Sequence, residues 1–309
     1  MTRLDSPSPR GRRAVQVAAQ AKINLRLRIL AREASGFHQL ETLLLRLDLA
    51  DTVRVRRTGA SRSLDVSGID DPAAIGPTDR NLAWLAAVAY CDVAGWSDGF
   101  AIELEKRIPI GGGLGGGSAD AGAVLRAMDA MAEKPLGEAA LLRIAFTLGA
   151  DVPFLASEHA YALAWGRGER LLALEPPPTR EVVLVVPPFG VRTAEAYGWL
   201  EAPRASAVPL GDAAGVLSPA SLATWEGILP LASNDFEPVV GTRHPAIAHF
   251  VTQLYDLGAS LAMMSGSGSV VFGVMPPSVP VTLQRAGVGA GPALLTQTAI
   301  RVEPVVVLD

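Results

Sequence analysis

The run Pro109-Ile110-Gly111-Gly112-Gly113-Leu114-Gly115-Gly116-Gly117-Ser118-Ala119-Asp120 sets six glycines around one leucine, leaving few side chains to shield the backbone N–H groups. Glycine reaches positive φ freely, so successive N–H groups can turn toward one point and form a nest for an anion. Small residues follow (Ser118, Ala119, Ala121, Gly122, Ala123), then Val124, Leu125 and Met128 at the spacing of one helix face. A glycine loop that opens a helix adds the positive end of the helix dipole to those N–H groups, which suits phosphate. The stretch is read as a cradle for a polyphosphate.

Gly111, Gly113 and Gly116 also satisfy G-x-G-x-x-G, the dinucleotide-binding pattern. The context argues against that fold. Phe100, Ile102 and Leu104 alternate with Ala101, Glu103 and Glu105, as in a half-exposed strand. The first strand of a dinucleotide fold is instead buried on both faces. The acid expected about 20 residues downstream would fall at Glu133 or Glu138, beside Pro135 and not at the end of a second strand. A P-loop lysine is missing too, because Gly116 runs straight into Gly117-Ser118.

A phosphate held by backbone still needs a charge that follows it into the transition state, and a group to take the acceptor's proton. Lys22, in Ala21-Lys22-Ile23-Asn24-Leu25, is a cation inside an otherwise apolar strand. Asp151, in Gly149-Ala150-Asp151-Val152-Pro153-Phe154, is an acid between a helix end and a buried-looking turn. A charge in apolar surroundings is costly unless paired, which makes the two candidate partners. Each has a plainer reading as well: Lys22 as a snorkelling edge residue, Asp151 as a turn or cap acid.

The elements that must carry these groups are legible in outline. Val15 to Ile29 alternates as a strand; Leu40–Leu49 and Asp51–Arg57 read as two further strand-like runs. Asn81 to Val93 and Leu136 to Leu148 read as helices, the second stopping near Gly149. Beyond Tyr161 the character changes. Pro176-Pro177-Pro178 precedes a buried-looking strand at Val182–Val186, and a loose stretch runs from Ala202 to Ser221. Helical and strand-like runs return through His244–Leu257 and Ser260–Val274, before breaks at Pro276-Pro277 and Pro280 and an apolar run near Val305. This order fits a mixed α+β fold in two domains, with a boundary near residue 160 and a disordered leader ahead of residue 15.

Composition sets limits on function. With 49% hydrophobic residues in 309, two cores can form, and a net charge of -4 gives no field to gather nucleic acid or anionic lipid. One cysteine, Cys91, excludes an intrachain disulfide, and the histidines at 38, 159, 244 and 249 are too scattered for a structural zinc. No apolar run has the length of a membrane span. A cytoplasmic protein is expected, with no nucleic-acid or membrane partner.

Several blocks, in order, resemble the GHMP small-molecule kinases: Ala21 to Leu25; Gly36-Phe37-His38 with Glu41-Thr42-Leu43; Asn81-Leu82; Pro109 to Ala119; Gly149 to Pro153; Asn234-Asp235-Phe236-Glu237; and Met264-Ser265-Gly266-Ser267-Gly268. The resemblance runs from about Ala21 to the C-terminus. It implies an N-terminal ATP-binding domain (15–160) of ribosomal S5 domain 2-like topology and a ferredoxin-like C-terminal domain (161–309). It implies ATP as phosphoryl donor, Mg²⁺ held mainly by ATP oxygens and water, and a small-molecule substrate with a cytidine diphosphate group. It also implies a monomer or weak homodimer.

By the same resemblance, Asp151 accepts or orients the hydroxyl proton and Lys22 is its cationic partner. ATP would contact Asn81, Lys106, Pro109, Ile110, Gly111, Gly112, Gly113, Leu114, Gly115, Gly116, Gly117, Ser118 and Ala119, with Lys106 toward the adenine and Ser118 toward phosphate or Mg²⁺. Asn24, Phe37, His38, Thr193 and Tyr197 would bind the substrate. In this reading Phe37 and Tyr197 stack on the two faces of cytosine while His38 reads its edge. Phe37 stands where the family has tyrosine, which keeps the stacking face and loses the phenol oxygen. No protein metal-ligand set is expected.

Overall fold

The computed structural model describes residues 13–34, 36–69, 75–201, 218–279 and 292–308. The expected leader up to residue 12, most of the loose stretch (202–217) and Pro280 lie outside the described residues.

The first body is built from β1 (Ala14–Arg32), β2 (His38–Thr58), β3 (Arg62–Ser67), α1 (Leu82–Ala94), β4 (Gly99–Glu105), α2 (Gly116–Met131), α3 (Glu138–Leu148), α4 (Val152–Ala156), β5 (Tyr161–Gly166) and β6 (Arg170–Ala173). What read as two runs around residues 40–57 is one strand of 21 residues, since Leu49-Ala50 carries no turn signal. It pairs antiparallel with the 19-residue β1 as a long hairpin. The register of β1 slips between Gln20 and Lys22 and again between Asn24 and Arg26. Such bulges re-aim side chains locally, and these two bracket Lys22 and Asn24. The core face of β1 (Ala19, Ala21, Ile23, Leu25) packs under α2 with Val124, Leu125 and Met128.

β4 pairs with β2 only from Thr52 to Thr58. The other half of β2 needs its own partner for its N–H and C=O groups. β5 supplies it, from Leu40↔Gly166 to Leu45↔Tyr161, and β6 extends it. The boundary expected near 160 therefore moves past Ala173, toward the proline run at 176–178. α1 crosses between the parallel neighbours β3 and β4.

The second body contains β7 (Glu181–Val185), α5 (Thr193–Glu201), α6 (Pro219–Leu222), α7 (Trp225–Ile228), β8 (Ser233–Asn234), α8 (Glu237–Arg243), α9 (Ala246–Asp256), β9 (Leu261–Met264), β10 (Val271–Val274) and β11 (Ala293–Gln297). β7, β9, β10 and β11 form an antiparallel sheet in the order β11-β7-β10-β9. In chain order that is 4-1-3-2, the expected ferredoxin-like arrangement. Its core joins Val183, Val185, Phe250, Leu254 and Met264. Two short strands cross back: β8 runs parallel to β1 at Arg26–Leu27, and β12 (Val306–Val307) pairs with Val15–Gln16. Among the described residues no helix is long and apolar enough to cross a membrane.

α2 and α4 meet backbone to backbone at Gly122, where a Cβ would lie 2.5 Å from the carbonyl carbon and oxygen of Leu155. Backbone cannot yield as a side chain does. Gly122→Ala should destabilise the protein by about 1–3 kcal/mol, read from the urea midpoint. An unchanged midpoint would mean the two helices are not held at this spacing.

Candidate active site

The glycine loop joins Lys106 at the end of β4 to α2. Its backbone alternates into the left-handed region, with Gly113 at φ 79° and Gly115 at φ 74°. Gly115 is the N-cap of α2, so the first N–H groups of Gly116, Gly117 and Ser118 lie at a helix start that leaves such donors unpaired. Side chains are excluded by contact as well as by φ. A Cβ on Gly115 would stand 3.0 Å from Lys22 Cε, and one on Gly113 would run into the Ser265 carbonyl. The loop leans on the second body: Val270 N–H donates to the Gly112 carbonyl at 3.1 Å and Ser265 Oγ to that of Gly113 at 2.9 Å.

Lys22 is only 2% exposed. Its ammonium donates to Asn24 Oδ1 at 2.7 Å and to the Gly113 carbonyl at 3.0 Å, and pairs with Asp151 Oδ2 at 3.2 Å. An ammonium has three protons and here meets three acceptors. Asn24 is held by Thr42, whose Oγ1 accepts from Nδ2 at 2.8 Å. Asp151 is the N-cap residue of α4, yet its side chain makes no capping bond. The carboxylate is turned to Lys22 instead, so neither plain reading holds: the lysine does not snorkel and the acid does not cap. α4 is fixed from behind by Arg46, the residue opposite Lys22 in the hairpin. Its buried guanidinium donates to the carbonyls of Phe154, Ser157 and His159, and burial lowers its pKa to about 9.

A second buried charge cluster underlies the loop. Lys106 is not a solvated strand-end lysine. Its ammonium lies between the carboxylates of Asp51 and Asp120, the second at 2.6 Å. Burial works to lower the Lys106 pKa, but attraction to Asp120 and Asp51 wins and holds it above the usual lysine value. Burial lifts Asp120 to about 7 against the pull of Lys106, and its Oδ1 has no hydrogen-bond partner.

One cavity of about 540 Å³ gathers most of the expected site: Lys22, Asn24, Asn81, Lys106, residues 109–118, Asp151, Thr193 and Tyr197. Ala119 is not part of its wall; it is buried in the first core at the spacing that α2 dictates. Asn81 caps α1, accepting from Ala83 N–H. Thr193 Oγ1 lies 3.0 Å from Ser267 Oγ, linking α5 to the second glycine turn.

His38, not Phe37, stacks on Tyr197, with centroids 4.5 Å apart and planes at 16°. Phe37 is exposed, with the Arg167 guanidinium 4.4 Å over its ring. Burial, helped by the negative charge of Asp151, pushes the Tyr197 phenol up to about 12.

Residues 81–159 match the model of the GHMP kinases N terminal domain, and residues 220–293 that of the GHMP kinases C terminal. The 4-diphosphocytidyl-2-C-methyl-D-erythritol kinase of Geobacter sp. (strain M21) is 37% identical over 263 residues, covering 84% of this chain and 89% of its own. That of Pelotomaculum thermopropionicum is 38% identical over 265 residues, with 84% and 88% covered. A crystal structure of 4-(cytidine 5'-diphospho)-2C-methyl-D-erythritol kinase superposes with a TM-score of 0.71 at 32% identity, over 92% of this chain and 98% of that one. The chain belongs to this kinase family within the GHMP kinases. A homoserine kinase from Cytophaga hutchinsonii, at 20% identity and a TM-score of 0.69, shares the fold.

Within the family frame, three buried residues escaped the sequence reading: Arg46, Asp51 and Asp120. Each stood out faintly as a charge among small or apolar neighbours, the signal that picked out Lys22.

A carboxyl group whose folded pKa lies above its unfolded value of 3.8 opposes folding when ionised. The stability this group adds is complete below about pH 3.8 and is lost as pH rises through about 7. Relative to Asp120→Asn, the wild type should gain stability between pH 8 and pH 5, toward a one-proton limit of about 1.4 kcal/mol per pH unit. Urea midpoints at several pH values test this; parallel curves would show that Asp120 does not titrate in that window.

Proposed function

We propose that this kinase transfers the γ-phosphoryl group of ATP to the 2-hydroxyl of 4-diphosphocytidyl-2-C-methyl-D-erythritol, the substrate in its relatives' names. The observation that carries the reading is the Lys22–Asp151 pair, 3.2 Å apart and bonded through Lys22 to the glycine loop at Gly113. The polyphosphate lies on the loop and the start of α2, and the nucleoside lies toward Asn81, Leu82, Leu104 and Lys106. The alcohol oxygen attacks the γ-phosphorus, the bond to the β,γ-bridging oxygen breaks, and the alcohol proton passes to or is oriented by Asp151. ADP leaves with the bridging oxygen. Lys22 keeps Asp151 aimed and offsets charge on the phosphoryl oxygens.

Among the described residues no three His, Cys, Asp or Glu side chains converge as a metal site. Mg²⁺ retains water and phosphate oxygens readily, so the ion would travel with the nucleotide and Ser118 would be the protein oxygen at the helix start. The cytosine stacks on the Tyr197 face that His38 covers in this structure, with Phe236 packed edge-on to the ring at 4.9 Å. His38 reads the base edge, and exposed Phe37 covers the second face.

Asp151→Asn should cut kcat roughly 10²–10⁴-fold while ATP affinity, by calorimetry, stays near wild type. Turnover close to wild type would remove Asp151 from the proton's path. Tyr197→Ala should weaken cytidine-ligand binding by about 1–3 kcal/mol and leave ATP binding alone; equal affinities in titration would rule out stacking there. Homoserine and mevalonate, offered in the same ATP-consumption assay, should give no turnover.

A further inference from the structure

We propose that Asp51, Lys106 and Asp120 form a clamp that fixes the span of the glycine loop, making Asp120 and Asp51 positioning residues for the nucleotide. The inference depends on the reading of that loop as the ATP site. Asp51 Oδ1 accepts the N–H groups of Arg107 and Ile108, at 2.5 and 2.8 Å, which pins the backbone where the loop begins. Asp120 is the fifth residue of α2, where the loop has ended. The Lys106 ammonium joins Oδ2 of both carboxylates and lies 3.5 Å from where a Cβ of Gly116 would stand. One buried cation therefore ties the loop's start, through β2, to its finish in the helix.

All three residues are buried: Asp51 is 0% exposed, Asp120 3% and Lys106 7%. A buried pair that loses one partner leaves an uncompensated charge, so the geometry resists drift. When both acids are ionised they outnumber the one ammonium and add negative charge behind a site for an anion, which would weaken phosphate binding if charge were the only effect. The cluster is thus better explained by position than by attraction. A loop of six glycines has no side chains of its own to set its width, and the N–H groups that face a phosphate are only as well placed as its two ends.

The test uses the full chain and compares Asp120→Ala, Asp120→Asn and Lys106→Met for ATP binding by calorimetry, KM for each substrate, kcat and Tm. Asp120→Ala keeps the Asp51 bonds and should raise the ATP Kd and KM about tenfold, near 1.4 kcal/mol, with the KM of the alcohol substrate unchanged. Asp120→Asn keeps an acceptor for Lys106 and should recover most of the loss. Lys106→Met should exceed Asp120→Ala; should it fail to fold, the Asp120 pair decides alone. A merely structural role would lower Tm and change both KM values together, which overturns the clamp, as does ATP binding by Asp120→Ala equal to wild type. If the wild type itself binds no ATP, the functional reading fails before the clamp is reached.

Discussion

The site depends on a lysine ammonium that has been taken out of water. Lys22 is buried on the polar face of β1, opposite the core face, and a buried cation is tolerable only with its protons met and a counter-charge close by. Its acceptors come from three stretches: Asn24 in the same strand, the Gly113 carbonyl in the loop, and Asp151 at the start of α4. Each must arrive at about 3 Å, so one cation fixes the loop and the acid relative to the hairpin. The bulges on either side of Lys22 and Asn24 aim the two side chains together.

Much of the surrounding architecture can be understood as support for that meeting. α4 is a single short helix and could not hold Asp151 steady by its own hydrogen bonds. Arg46 anchors its far end through three carbonyls, and the backbone contact at Gly122 sets its distance from α2. The loop is braced from the other side by the second body, through Ser265 and Val270. Asn234 ties that turn down, donating to the carbonyls of Met264 and Gly266 at 2.8 Å. The glycine loop is thus held by groups drawn from both halves of the chain.

Charge is distributed unevenly along the cavity. Lys22 and Asp151 are paired, and the Lys22 ammonium bonds the loop at Gly113. Beneath the loop, a lysine lies between two acids, one of which burial lifts to about 7. Around Tyr197 the surroundings are aromatic, with His38 stacked on its ring and Phe236 packed edge-on.

The glycine loop, the helix after it, and the unusual positions of Lys22 and Asp151 could be read from residue type and spacing, because each violates a local expectation. Glycines in a row running straight into a helix leave its first N–H groups bare, and a charge buried in a strand demands a partner. The ordered blocks gave the family as well. What spacing could not give was partnership. That Lys106 belongs to Asp51 and Asp120, that His38 and not Phe37 meets Tyr197, and that β5 and β6 complete the first sheet all follow from strand pairing between segments far apart in the chain. Local sequence fixes which groups are costly to leave alone; only the closed fold decides which neighbour satisfies each, since that depends on register and packing across the whole sheet.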